Sequence, residues 1–403
     1  MRVLKIKTNI LNPVFETEIE LKKNRIITIQ NGKIFGISDS GDFDLDKSDE
    51  ICLPGLIDLH VHLSQINAKG KHAPHLLTWL TKHIFKEEEK SKDSDYARKI
   101  ANDFFNLSIK QGTTTSVIYV APNKRACDIA FETAEYLGVR AFIGKTMMDV
   151  NSPENLKENS ETTFEESVEL FNKWDKKTPL LRYIFTPRFA PVCSSDLMRK
   201  IGNFARKNNA FIQSHLSENK DEINWVKELF PDSKNYTQVY ETHRLLSSKS
   251  IMGHGIHLNN DEIRTLKKHN AVIAHCPDSN FFLKSGVFPW QKLKESGVRF
   301  GLASDVGAGT SLSMFHIMKM AIFRQDDYAI DPKEVFYRST IGNAKILELE
   351  DKIGSVTIGK DADFIFVKQN NLEQNKDEMI SEIVYRGSEN IVTSVFVAGR
   401  QLL

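Results

Sequence analysis

This sequence predicts an α/β fold: a (β/α)8 TIM barrel with a small β-sandwich domain formed by the N- and C-terminal segments. Three observations lead there. Through the middle of the chain, short apolar runs alternate with amphipathic helical patterns, which argues for a parallel sheet. There are eight such runs, the number a closed barrel of this kind requires. Both ends of the chain read instead as β-structure. A length of 403 residues suits a barrel of roughly 250 residues plus additional parts.

At the N-terminal end, residues 3–8, 25–30 and 33–37 are short apolar runs, and Asn31-Gly32 between the last two is a hairpin signal. Pro54-Gly55 then breaks the rhythm. The barrel strands are expected at residues 56–62, 114–120, 139–144, 181–186, 211–215, 250–254, 271–275 and 298–303. Helices are expected between them, among them 95–110, ended by Gly112, and 218–229, ended by Pro231. Residues 359–367 and 391–397 return to β-character. The expected division is 1–53 with 358–403 as the small β-domain and 54–357 as the barrel.

Composition narrows the function. Hydrophobic residues at 40% and charged residues at 27% are ordinary for a globular enzyme. Lys plus Arg total 54 against 53 Asp plus Glu, a net charge of +1, so no basic stripe points to a nucleic acid. The charge runs at residues 42–50 and 86–92 read as a hairpin loop or a solvated face. Cys52, Cys127, Cys193 and Cys276 form no CxxC pair or disulfide framework. Met1-Arg2-Val3-Leu4-Lys5-Ile6-Lys7 leads into no apolar signal core, and no run approaches the roughly 20 apolar residues of a membrane span. The expectation is a reduced, cytoplasmic protein with no membrane partner.

The strongest local signal is Pro54-Gly55-Leu56-Ile57-Asp58-Leu59-His60-Val61-His62. Residues two apart on a strand point the same way, so His60 and His62 share a face. Paired imidazoles suit zinc, which takes nitrogen ligands at about 2.0–2.1 Å. Alone, the pair could be incidental. However, His215 ends the fifth expected strand, His254 ends the sixth, and Asp305 follows the eighth. Active sites of this fold lie at the C-terminal ends of the strands. His60, His62, His215, His254 and Asp305 are therefore the candidate metal ligands.

The run 54–62 resembles the first-strand signature of the amidohydrolase superfamily, and Ser304-Asp305 resembles its eighth-strand carboxylate. Further segments resemble the guanine deaminases of that superfamily: Ser64-Gln65, Thr186-Pro187-Arg188-Phe189, Cys193-Ser194, Gln213-Ser214-His215-Leu216-Ser217-Glu218-Asn219, Ala274-His275-Cys276-Pro277 and Ser279-Asn280. The likeness runs through nearly the whole chain. Two departures border the pocket and bear on substrate choice. His72-Ala73-Pro74-His75 stands before Leu76-Leu77-Thr78-Trp79-Leu80 where an acidic residue is typical, and Ala121-Pro122-Asn123 stands where a histidine is expected nearby.

The resemblance implies hydrolytic deamination of a purine, guanine first, in purine catabolism. It implies one zinc per chain, with iron as the alternative metal, and a homodimer. It implies that Glu218 protonates a ring nitrogen and relays a proton to departing ammonia. Asp305, able to touch both metal and water, suits the general base. His254 is either a fifth ligand or a hydrogen-bond donor to the bound water. Arg188 and Gln65 are expected to read the ring edge, since a guanidinium donates and an amide both donates and accepts. Phe189 is expected to stack on or pack beside the ring, and Glu218 and Asp305 also to touch substrate. His275 is expected to hydrogen-bond near the pocket or to be structural, the remaining histidines to be non-ligands, and residues 66–95 to form a lid.

Three rival readings remain distinguishable. A sister enzyme would act on another aminated heterocycle such as a pterin or triazine. Dihydroorotase-like relatives use a bridging lysine at the fourth strand, where this chain has Arg188, which favours one metal. A scaffold without activity would not retain all five ligands and Glu218. The HxE and PCxxC motifs of zinc nucleobase deaminases of the other fold are absent.

Overall fold

Residues 3–15 and 18–30 are rich in Ile and Leu and bury part of their length, as strands on a covered sheet do. In the computed structural model, which describes residues 3–73, 75–326 and 328–403, they form β1 (Val3–Phe15) and β2 (Glu18–Gln30), paired antiparallel. Met1, Arg2 and Pro74, which figure in the reading above, lie outside the described residues. β1 continues two residues past Pro13, where its register shifts as it also does beside Thr8, and bulges of this kind tolerate proline. At the Asn31-Gly32 turn both residues have positive φ (53° and 77°), as a type I′ hairpin requires. β3 (Lys33–Ser38) then returns along β2, and β4 (Leu45–Pro54) pairs parallel to β1.

Eight parallel strands follow: β5 (Leu56–His62), β6 (Thr113–Val120), β7 (Arg140–Met147), β8 (Leu181–Pro187), β9 (Phe211–Leu216), β10 (Ser250–His254), β11 (Val272–His275) and β12 (Arg299–Leu302). Every residue of β5 and β6 is buried, which is why these strands read as continuous runs rather than alternating ones. Ladder bonds join each neighbouring pair from β5 to β12. The seam between β12 and β5 is closed differently. Asp305 N donates to His60 O (2.8 Å), and His62 N donates to Val306 O (2.7 Å). The Asn343 amide donates to Ile57 O (2.8 Å) and Leu302 O (3.0 Å), while Asp58 accepts from Ser304 N (3.0 Å) and Ser304 Oγ (2.5 Å). Gly301 makes room for Asn343, because a Cβ there would stand 1.9 Å from Asn343 Oδ1.

The chain ends in β13 (Phe364–Lys368), β14 (Val392–Val397) and β15 (Arg400–Gln401). β13 pairs antiparallel with β4, giving one seven-stranded sheet of order β15-β14-β13-β4-β1-β2-β3. The sheet folds over on itself. Ile6, Ile27, Ile29 and Ile34 from one end share a core with Phe364, Phe366 and Phe396 from the other. Both termini thus build one β-layer beside the barrel. Among the described residues no helix is long and apolar enough to cross a membrane.

The two parts are tied by a buried ion pair. Arg140, at the start of β7, donates through Nε to Asp363 Oδ2 (3.0 Å) and through Nη2 to Asp361 Oδ2 (2.9 Å). Arg140 and Asp363 are both essentially unexposed. Removing one member of such a pair strands the other charge, at a cost of about 3–5 kcal/mol. Asp363→Ala is expected to lose that much stability in denaturant titration, and a loss below about 1 kcal/mol would show that the pair does not hold the two parts together.

Candidate active site

Parallel strands bring their C-terminal ends to one mouth, and five of the side chains singled out in the sequence meet there. His60 Nε2 stands 3.1 Å from His62 Nε2 and 3.2 Å from Asp305 Oδ1. His62 Nε2 is 3.1 Å from Asp305 Oδ1 and 3.3 Å from His215 Nε2. Ligand atoms of His60, His215, His254 and Asp305 all lie within 4.8 Å of one another, a group that could hold a metal ion. Gly253 allows this crowding, because a Cβ there would come 2.8 Å from His60 Cε1. His254 and Asp305 both adopt positive φ (71° and 48°), so strain at the strand ends aims these two side chains inward.

The ring orientations are set from outside the cluster. His215 Nδ1 faces Arg188 O at 2.6 Å, and His254 Nδ1 faces Asn280 Oδ1 at 2.9 Å. Both partners are acceptors, so each Nδ1 carries a proton and each ring turns its Nε2 toward the cluster. His254 Nε2 is buried without a hydrogen-bond partner. It lies 3.3 Å from Glu218 Oε2 and 3.9 Å from Asp305 Oδ2. Burial lowers the His60 pKa to about 4 and depresses His215 well below the ordinary histidine value, keeping both neutral. Burial opposes ionisation of Asp305, but hydrogen bonds with His60 and His62 outweigh it and hold its pKa well below the usual carboxylate value. Imidazole nitrogens converging on one carboxylate form a donor set that fits a divalent cation.

Glu218 sits at the rim. Ser217, at φ 50°, turns the chain after β9. The next helix begins only at Lys220, capped by Asn219 with Glu222 completing the capping box, so Glu218 precedes the helix rather than lying in its first turn. Glu222 Oε2 accepts from Glu218 N (2.9 Å), and Ser285 Oγ donates to Glu218 Oε1 (3.3 Å). Burial pushes the Glu218 carboxyl up to about 7, a value suited to carrying a proton near neutral pH.

One cavity is lined by His62, His215, His254 and Asp305 together with Gln65, Arg188, Phe189 and Glu218. Leu76, Trp79 and Leu80, from residues 66–95, form part of its wall. Every side chain singled out as a metal, acid–base or substrate residue is therefore at one place. The match to known proteins agrees with this arrangement. Residues 51–402 match the model of the amidohydrolase family.

The chain belongs to the amidohydrolase family. It is 33% identical to the guanine deaminase of Escherichia coli (strain K12) over 384 residues, covering 92% of this chain and 86% of that one. It is 34% identical to the guanine deaminase of Dictyostelium discoideum, with 89% and 84% covered. The crystal structure of guanine deaminase from C. acetobutylicum with guanine bound in its active site superposes with a TM-score of 0.94, at 31% identity and full coverage of both chains.

Other parts of this amidohydrolase differ from the sequence reading. The charge run at residues 86–92 is not a solvated face at its start, since Glu87 and Glu88 are buried. Tyr96 donates to Glu87, and Lys90 and Lys71 pair with it. Glu88 reaches into the site and accepts from Arg188 Nη1 (2.7 and 2.9 Å) and Gln65 Nε2 (2.7 Å). Gln65 therefore spends its donor on the protein and offers the cavity an acceptor. A buried arginine requires a counter-charge, and that requirement was the available signal for Glu88. Among the described residues the His275 imidazole has no hydrogen-bond partner, and it stacks on Phe288 with centroids 4.0 Å apart. Near the end of the second barrel strand, Tyr119 packs against His60, His62 and His215.

Proposed function

We propose that this chain hydrolyses guanine to xanthine and ammonia with one zinc ion bound by His60, His62, His215, His254 and Asp305. The reading rests above all on the convergence of those groups with Glu218, Gln65 and Arg188 in a single cavity, in a chain about one third identical to guanine deaminases. When bound, the zinc supplies Lewis acidity that brings the pKa of a water to about 7. Asp305, kept ionised, takes a proton from that water as a C–O bond forms at the purine carbon bearing the exocyclic amine. Glu218 delivers its proton to the adjacent ring nitrogen, takes up the proton that Asp305 accepted and relays it to the departing amine, so that the C–N bond breaks and ammonia leaves. The remaining hydroxyl proton returns to Glu218 as the new carbonyl forms. His254, with Nδ1 bonded to Asn280, would hold the metal through Nε2, which favours the ligand role over that of hydrogen-bond donor. Arg188 donates to the ring carbonyl, Gln65 accepts from the N–H beside it, and Phe189 closes the side of the ring.

This reading carries with it a cytoplasmic enzyme of purine catabolism, supported by four buried cysteines without disulfides, and a homodimer, which sedimentation of purified protein would test. The deciding experiment is ammonia release from guanine, adenine and a pterin. Guanine is expected to give the highest kcat/KM. A higher value for adenine or a pterin would overturn the guanine assignment. Hydrogen bonds from a charged donor contribute about 1.5–3 kcal/mol, so Arg188→Ala is expected to lower kcat/KM for guanine roughly 10–100-fold while zinc content stays at the wild-type level.

A further inference from the structure

Glu88 lies outside the groups that touch the metal, yet it occupies a particular position. It belongs to the helix Phe85–Glu89 in the segment after the first barrel strand. Its side chain is 2% exposed, and that of Arg188 is 4% exposed. Oε1 accepts from both Gln65 Nε2 (2.7 Å) and Arg188 Nη1 (2.9 Å), and Oε2 accepts from Arg188 Nη1 (2.7 Å). Arg188 is also placed over the Phe85 ring, with its guanidinium carbon 5.4 Å from the centroid.

The consequence concerns the primary amide of Gln65. An amide can present either its oxygen or its NH2 to a ligand, and the two orientations are nearly identical in shape. A carboxylate accepts and does not donate, so Glu88 takes only the NH2 and turns Oε1 the other way. The same carboxylate holds one terminal nitrogen, Nη1, of the Arg188 guanidinium, whose remaining N–H groups can only donate. Gln65 and Arg188 line the same cavity. Together they offer an acceptor and a donor, the complement of an N–H beside a carbonyl. A 6-oxopurine carries that pair, whereas a 6-aminopurine carries the reverse, a ring-nitrogen acceptor beside an amine. A mismatch leaves buried polar groups unpaired, and sites built to hydrogen-bond a group reject analogues lacking it strongly.

We infer that Glu88 is the positioning residue that sets this preference: by locking the Gln65 amide and anchoring Arg188, it makes the cavity select an oxo group flanked by N–H over an amino group flanked by a ring acceptor. The inference rests on the substrate reading above. Its test therefore measures binding as well as turnover. Hypoxanthine and adenine differ at the relevant edge and need no reaction, so their dissociation constants are measured by calorimetry on zinc-loaded wild type, Glu88→Gln and Glu88→Asp. In parallel, kcat/KM is compared for guanine and 2,6-diaminopurine, which share the 2-amine and differ at position 6.

The wild type is expected to prefer hypoxanthine and guanine. Glu88→Gln can donate as well as accept, so the Gln65 amide is released. That variant is expected to lose at least tenfold of the preference in both comparisons, while binding the same zinc. Glu88→Asp keeps the acceptor character and is expected to retain more of the preference than Glu88→Gln, which also serves if the glutamine variant folds poorly. An equal loss of both ligands, or a preference unchanged within about twofold, would overturn the inference. A wild type that binds hypoxanthine over adenine through Glu88 but does not deaminate guanine would leave the inference standing and overturn the reaction. A wild type without any oxo preference would overturn the inference itself.

Discussion

Glu218→Gln is expected to keep its zinc and lose about 10²–10⁴-fold in kcat, the usual contribution of a positioned acid–base group. The substitution is nearly isosteric, so it removes proton transfer with little change in volume. Structure around the residue explains why so much depends on it. The chain turns at Ser217 before the helix starts, and Glu222 holds the Glu218 backbone N–H. The side chain is thereby held beside His254 Nε2, 3.3 Å away, without belonging to the strand-end ligand set. Burial has already raised its pKa to about 7, so the carboxyl can exist in either protonation state near neutrality. A glutamine cannot take up and return a proton, and the ring nitrogen and the leaving amine would both lose their donor. KM is expected to change much less than kcat, because the residue acts on groups that change charge during the reaction. Metal analysis and steady-state kinetics on the same preparation are the check. A variant with near-normal kcat would remove Glu218 from the chemistry.

What was legible in the sequence follows from which physical constraints are local. A barrel strand buried on both faces keeps its apolar residues on both faces instead of alternating with solvated ones, so the runs at 56–62 and 250–254 coincide with β5 and β10. The ligands were legible for a related reason. A polar residue at the end of such a run, where water or a metal can reach it, stands out against its surroundings, as His215, His254 and Asp305 do. The helix start near Glu218 was misplaced because the reading stopped at the acidic residue, while Asn219 and Glu222 form the actual cap. The seam of the barrel was also not legible. It is closed by the pair Asp58 and Ser304, 246 residues apart in the chain, and by Asn343, whose partners Leu302 and Ile57 lie 41 and 286 residues away. Glu88 illustrates the same limit most clearly. In sequence it is one acidic residue in a mixed charge run, and only the fold brings it to Arg188, 100 residues later.

Stripping the metal with a chelator is expected to abolish turnover, and one equivalent of zinc per chain is expected to restore it. The stoichiometry follows from the donors. The convergent group offers four imidazoles and one carboxylate, and Asp305 Oδ1 already lies 3.1–3.2 Å from both His60 and His62, which leaves one focus rather than two. In the dihydroorotase-like pattern a second ion is bridged by a lysine at the fourth strand. Arg188 occupies that position instead, and it is a cation paired to Glu88. The size of the effect follows from the reaction's need for a strong nucleophile at neutral pH. Bulk water has a pKa of 15.7 and zinc lowers it to about 7, so no side chain in the cavity can make up the difference. Asp305→Asn is expected to act through the same centre. The amide would offer a neutral oxygen or an NH2 to His60 and His62, weakening the metal site, and could not accept the proton of the attacking water. Excess zinc is therefore expected to restore metal content to this variant without restoring kcat. Thermal unfolding gives a readout independent of activity. A ligand bound only to the folded state stabilises it by about 2.7 kcal/mol at 100 times its Kd, so the wild-type Tm is expected to fall on chelation and recover with one equivalent. Recovery that requires two equivalents, or an Asp305→Asn enzyme with wild-type turnover, would overturn the single-metal centre and the role of Asp305 within it.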